Sequence, residues 1–303
     1  MTTGKGGNTM ENYALLTDAT ADLTRQLAQE LDVEVIPMPL DIDGEPYDFS
    51  YFNDTFTVRF FYDALRAGKF AHTSQINEQT YFEYFEKHLR AGRDVLYLCF
   101  TSGLSGTIHV ARRCMEQLRQ KYPQRRMVCV DTLCASVGQC LLVHSAARRR
   151  LAGASMQELA DWAEQNKQRV CHCFKVDDLD HLRRGGRISA TTAMVGSALQ
   201  IKPILVVDDE GKLQTVAKCR GKKRAQEFQL SCMEKFAIPE DNATVVIGHG
   251  DTEPEAAELA DRVRERFPYV KDVVTVPIGP IIGAHVGPGM LALIFYGTSK
   301  TCK

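Results

Sequence analysis

The stretch DVLYLCFTSGLSGT, residues 94–107, sets the fold class. Asp94 to Phe100 is a short, nearly continuous apolar run, the pattern of a strand covered on both faces. Thr101 to Thr107 follows with two glycines among hydroxyl-bearing residues, and helical spacing takes over from about Ser105 to Tyr122. A buried strand running through a glycine-loosened turn into a helix is half of a βαβ unit. The start of such a helix carries unpaired N–H groups and the positive end of its dipole, a setting that favours an anion such as a carboxylate. Ser105 is placed to donate its hydroxyl, and Gly106 lets a ligand approach the backbone closely. The plainer alternative is that Ser105 caps its own helix.

Working outward, the same alternation recurs. Asn12 to Thr17 and Val33 to Ile36 read as strands, with Leu23, Leu27 and Leu31 on one helix face between them, capped by Thr20 or Asp22. Helices are expected at Thr57–Ala67 and Glu78–Ala91, a strand at Met127–Val130, and helices near Ala135–Ala152 and Ser155–Lys167. After Lys167 the pattern changes. A strand at Arg169–Val176 and a short helix near Asp178–Arg184 precede a hairpin, Ile204–Val207 and Leu213–Ala217, turned by Asp208-Asp209-Glu210-Gly211. A helix to about Phe236, a strand at Ala243–Ile247, a helix at Glu253–Phe267 and strands at Asp272–Val276 and Leu291–Tyr296 complete it. The expectation is an α/β protein of two domains. Residues 12–169 form a Rossmann-like parallel-sheet domain, and residues 170–303 a smaller α/β domain of α+β character with a mixed sheet. Residues 1–11 are polar and glycine-rich, with a second Met at position 10, and read as a flexible leader or tag.

Composition narrows the function classes. The chain has 303 residues, with 37 Lys plus Arg against 38 Asp plus Glu, so it lacks the basic footprint of a nucleic-acid binder. Ten cysteines are scattered without a CxxC pair, which favours reduced, buried thiols over a disulfide framework or a zinc site. Cys171-His172-Cys173 is too tight for a metal site and lies in a strand pattern, where alternate residues face opposite ways. No run of about twenty apolar residues is present. The default placement is the cytosol, with no cofactor and no metal.

Other segments suggest a site. His72-Thr73-Ser74-Gln75 sits between two helical patterns, in a loop where hydroxyls are free to meet a ligand. In GAHVGPG, residues 283–289, three glycines and a proline around His285 suggest an irregular turn that holds the imidazole at a fixed place. Arg183-Arg184-Gly185-Gly186-Arg187-Ile188-Ser189 lacks the spacing of a phosphate loop. Gly248-His249-Gly250-Asp251 follows a strand and is a candidate for the domain interface. Arg220-Gly221-Lys222-Lys223-Arg224 is either a solvated face or a dock for an acidic or phosphate-bearing partner. A serine hydrolase is the sharper rival, since Gly103-Leu104-Ser105-Gly106-Thr107 is nearly GxSxG, but the last position is not glycine. A sensor of a small carboxylate is a third reading.

Taken in order, TDATADL (17–23), TSQ (73–75), TSGLSGT (101–107), VDTLCASVGQ (130–139), RRGGRIS (183–189), IKPIL (201–205), KCRGKK (218–223) and GAHVGPG (283–289) resemble the DegV family. These are bacterial fatty-acid-binding proteins, including the binding subunits of fatty acid kinase. The likeness runs from about residue 12 to residue 297. It implies a Rossmann-like first domain, an α/β second domain, and a fatty acid with its tail buried and its carboxylate near the mouth. It further implies that Thr73 and Ser105 hold that carboxylate, with the Gly106 amide as an extra donor and His285 in the same polar network. Arg220 would work with an ATP-dependent kinase, and the protein itself would be a carrier and not an enzyme. The chain departs from the family pattern at Ala19 (usually Ser in DST), at Ile76 (usually Pro in TSQPS) and at Gly221 (usually Thr).

Overall fold

The computed structural model describes residues 12–49, 57–189 and 200–302. The proposed leader, residues 1–11, lies outside the described residues. Four strands, β1 (Tyr13–Asp18), β2 (Val33–Ile36), β6 (Asp94–Cys99) and β7 (Met127–Asp131), form an all-parallel sheet in the order β2-β1-β6-β7. β1 is buried at every position, as a strand covered by helices on both faces must be. The crossovers are α1 (Arg25–Glu30), α2 (Val58–Arg66), α3 (Glu78–Arg90) and α4 (Thr107–Lys121). Side-chain caps start several of them: Thr24 for α1, Thr57 for α2 and Asn77 for α3. The expected helix through Leu23 is broken. Asp18 caps a short 3-10 turn, Ala19–Ala21, and Asp22 adopts a left-handed φ of 53°, so α1 begins only after Thr24.

The sequence pattern missed a second, small sheet. β3 (Met38–Ile42), β4 (Glu45–Phe49) and β5 (Ala71–Thr73) pair antiparallel in the order β4-β3-β5. Thr73, expected in a loop, therefore ends a strand, paired with Leu40 of β3.

Six strands make the third sheet, β10-β9-β8-β13-β11-β12: β8 (Val170–Lys175), β9 (Ile201–Val207), β10 (Leu213–Arg220), β11 (Thr244–His249), β12 (Asp272–Pro277) and β13 (Leu291–Tyr296). It is mixed, since β11 and β12 run parallel and the other pairs antiparallel. Period-two alternation divides its side chains between two cores. Phe174, Leu205, Val246, Ala292 and Ile294 face the first lobe, whereas Cys173, Ile204, Val206, Ile247, Leu293 and Phe295 face a second core. α8 (Lys222–Phe236) and α9 (Glu253–Arg266) close that second core. On the other face lies α5 (Val137–Leu151), buried at every residue from Val137 to His144 because it runs between the two large sheets. α6 (Met156–Asn166), opened by a Ser155–Glu158 capping box, follows it. Two short helices, α7 (Asp180–Arg184) and α10 (Pro280–Val286), complete the seam between the lobes. Among the described residues, no helix is long and apolar enough to cross a membrane.

Candidate functional site

A narrow, mostly apolar pocket lies along this seam. Both lobes line it. The first lobe contributes Met38, Phe100, Leu104 and the start of α5; the second contributes Phe174, Val207, Leu213, much of α10, and Met290, Ala292 and Ile294. Among the described residues, six of those lining it are polar or charged: Thr20, Thr73, Ser105, Ser136, Arg187 and His285.

Two of the six already have their hydrogen bonds met by the fold. The Ser136 hydroxyl donates to Asp22 Oδ2 at 2.6 Å, and Thr20 meets Asp18 and Gln139. The other four meet at the mouth. Thr73 Oγ1 and His285 Nε2 are 2.8 Å apart, joining β5 to α10. His285 does not sit on an irregular turn as its glycines suggested. Pro280 opens α10 at a position that needs no N–H, and His285 falls on its last turn, before the left-handed Gly287. α10 is tied at both ends. Asp22 Oδ1 accepts from the Gly279 N–H at 2.9 Å, and the buried Lys175 ammonium donates to the Gly289 carbonyl at 2.7 Å while pairing with Glu255 at 3.0 Å.

Ser105 precedes α4, whose N-cap is Gly106. Its hydroxyl accepts from the Thr107 N–H at 3.3 Å, and the residue also lines the cavity. The close packing of Gly106 on Gln75 (a Cβ there would lie 2.8 Å from Nε2) brings the TSQ and TSGLSGT segments together. Among the described residues no hydrogen bond joins Ser105 to a histidine, and His285 engages Thr73 instead.

Arg187 was not singled out by its spacing. It lies after α7, half-buried, donating to the Gly185 carbonyl, and pairs with no carboxylate among the described residues. With Leu104 and Leu213 it also borders an outer polar groove containing Gly103, Gly186 and Lys212, which marks this end of the cavity as the opening. Burial, reinforced by the charges of Arg187, His181 and His72, pushes the His285 pKa down to about 4. His285 Nδ1 is buried without a partner, because the Gly185 Cα packs against it. Arg220, at the end of edge strand β10, is exposed and outside the cavity. Among the described residues no group of His, Cys, Asp or Glu side chains is arranged to hold a metal ion. His172 faces α5 while Cys171 and Cys173 face the second core.

A family model described as the uncharacterised DegV family matches residues 12–298. The chain is a DegV-family protein. A DegV domain-containing protein of Clostridium perfringens is 40% identical over 291 residues, covering 96% of this chain and 99% of that one. Among solved structures, a DegV lipid-binding protein of Thermotoga maritima superposes with a TM-score of 0.83 at 26% identity, over 96% of this chain and all of the other. A DegV-family protein of Thermus thermophilus, described for its fatty-acid binding, gives 0.83 at 27% identity, over 94% and 99%. The α/β architecture with one parallel and one mixed sheet is thus the DegV fold, and DegV relatives bind fatty acids.

Proposed function

We propose that this DegV protein is a fatty-acid carrier without catalytic activity of its own. The acyl chain fills the cavity, and its carboxylate is held by Thr73, Ser105 and the Gly106 amide, with His285 behind Thr73. The observation that carries this reading is an apolar cavity whose opening gathers two hydroxyls, a histidine and an arginine with no acidic partner. The fatty-acid-binding relatives support it.

The mouth chemistry follows from proton placement. Burial keeps His285 neutral, so only one ring nitrogen carries hydrogen. With Nε2–H donating to Thr73 Oγ1, the Thr73 hydroxyl hydrogen is free for a carboxylate oxygen. The other tautomer would consume that hydrogen and turn lone pairs toward the anion. Arg187 supplies a counter-charge near the opening, where a desolvated ion pair is stronger than in water. Affinity comes mainly from the tail: sixteen carbons at roughly 0.8 kcal/mol per methylene give an apolar gain on the order of 10 kcal/mol before ordering costs.

The carrier presents one carboxylate oxygen through the outer groove to a separate ATP-dependent fatty acid kinase. That enzyme transfers the γ-phosphoryl group of ATP to it, leaving ADP and an acyl phosphate destined for phospholipid synthesis. Arg220 belongs to the kinase contact. The protein works in the cytoplasm, with transient membrane-surface contact and no other cofactor. Denaturing the purified protein and analysing the extract by lipid mass spectrometry should release long-chain fatty acid. Protein that is repeatedly lipid-free and fails to bind added palmitate or oleate would overturn the proposal.

A further inference from the structure

On the side of the cavity lined by Thr20, a buried acid has a proton count that its neighbours dictate. Asp18, at the end of β1, is fully buried and pairs with no cation among the described residues. Its Oδ2 accepts from the Tyr97 hydroxyl at 2.7 Å and from the Phe100 N–H at 3.1 Å. Its Oδ1 meets the Thr20 N–H at 3.1 Å and the Thr20 hydroxyl. That hydroxyl has one hydrogen and faces a second oxygen, Gln139 Oε1, at 2.9 Å.

The Gln139 amide cannot be turned to relieve this. Its Nε2 lies 3.3 Å from the Leu98 carbonyl and 2.9 Å from Thr17 Oγ1, and the Thr17 hydroxyl already donates to the same carbonyl at 2.9 Å. A carbonyl only accepts, so Nε2 must face it, and Oε1 is left facing Thr20. The one Thr20 hydrogen cannot serve both oxygens, and when it goes to Gln139, Thr20 can only accept from Asp18. Two acceptors would otherwise meet at Oδ1 in a fully buried site.

From Oδ2 the network continues toward the head-group loop. Tyr97 meets Tyr81 hydroxyl to hydroxyl at 3.1 Å, and Tyr81 meets Thr107 Oγ1 at 2.9 Å. Thr107 opens α4, and its N–H donates to Ser105. We infer that Asp18 is a positioning residue for the head-group loop, carrying its proton on Oδ1 as a neutral carboxylic acid. Its ordering effect passes through Tyr97 and Tyr81 to Thr107 and so to Ser105. Burial, which raises the Asp18 pKa above the ordinary carboxylate value, agrees with this state. A neutral acid also keeps negative charge away from the tunnel wall at Thr20. The inference rests on the carrier reading for its effect on binding, though not for the proton count.

Aspartate labelled with carbon-13 at its side-chain carboxyl reads the proton directly. In delipidated protein at neutral pH, one aspartate should give the signal of a protonated acid, and Asp18→Asn should remove it. If every aspartate gives a carboxylate signal, the inference falls, whatever the protein binds. Asn at this position retains a donor toward Thr20 and an acceptor toward Tyr97, so palmitate affinity should stay within about threefold. Asp18→Ala and Tyr97→Phe break the network and should each cost about tenfold for palmitate. Affinity for methyl palmitate, which has no carboxylate to place, should not change. Equal losses for acid and ester, or an Asn variant as weak as Ala, would make the network mere scaffolding and overturn the positioning role. A protein that binds neither lipid refutes the carrier reading instead, with the labelled signal still deciding the proton.

Discussion

Two polar networks border one cavity, and they differ in how completely the protein satisfies them. In the network around Asp18, Thr20, Gln139 and Thr17, each side-chain hydrogen finds an acceptor within the fold. At the mouth, Thr73 and His285 share one hydrogen bond, but among the described residues His285 Nδ1 has no partner and Arg187 has no carboxylate. Buried polarity that is left unmet destabilises a fold by about 1–3 kcal/mol per group. A closed network can be explained by the fold alone, whereas an open one points to a ligand that completes it. On the proposed carrier reading, charge-assisted hydrogen bonds at the mouth would fix where the ligand sits, and the apolar walls would supply most of its affinity.

The sharpest way to break this division is the length of the ligand. Shortening palmitate to dodecanoate removes four methylenes, about 3 kcal/mol, so calorimetry should find affinity lower by roughly two hundredfold. A flat dependence on chain length would move the binding energy to the mouth and invert the comparison. Next in size, Thr73→Ala and Ser105→Ala should each weaken palmitate by about 1.5–3 kcal/mol, tenfold to a hundredfold or so, with the circular dichroism spectrum unchanged.

Gly185→Ala tests whether the open network depends on a tight fit. The Gly185 backbone is helical (φ −70°), so alanine fits locally, but its Cβ would lie 2.3 Å from His285 Nδ1. The imidazole must shift away from Thr73, and palmitate affinity should fall by about tenfold. Proton linkage offers a smaller handle. His285 titrates near 4 when folded against about 6.5 unfolded, so between those values the unfolded chain binds more protons. Stability of the delipidated protein should therefore rise with pH across that window and level off above it, and His285→Asn should flatten the rise. His172, held near 3 mainly by burial, acts in the same direction and is unchanged in both proteins, so the difference in urea midpoints isolates His285. Arg220→Ala should leave palmitate binding unaltered while slowing phosphorylation by the kinase; a parallel loss of both would remove it from the kinase contact.

Much of this was legible in the chain. The apolar run at 94–100 and the glycine loop at 101–107 announced a parallel βα unit, because a strand covered on both faces has few alternatives. The small sheet was not legible. Pro39 and Pro46 lie inside β3 and β4, and proline argues against a strand interior until pairing partners are known. His285 was expected on an irregular turn because of the glycines and proline at 283–289, whereas it falls on the last turn of a helix that Pro280 begins. Arg187 was hidden for another reason. Its local motif carries no distinctive spacing, and only the packing of α7 against α10 brings it beside His285. The Asp18 network leaves still less trace, because a proton count needs distances.

The TSGLSGT loop meets the second lobe backbone to backbone. A Cβ on Gly103 would lie 2.5 Å from the Glu210 carbonyl oxygen, one on Gly211 would lie 1.9 Å from Thr101 Oγ1, and that hydroxyl donates to the Gly211 carbonyl at 3.1 Å. The joint is made by backbone and the Thr101 side chain, so little can give between the loop that carries Ser105 and the tip of the β9–β10 hairpin. A contact at the far end of β10, where the exposed Arg220 lies, would thus act through a stiff connection on the loop that carries Ser105.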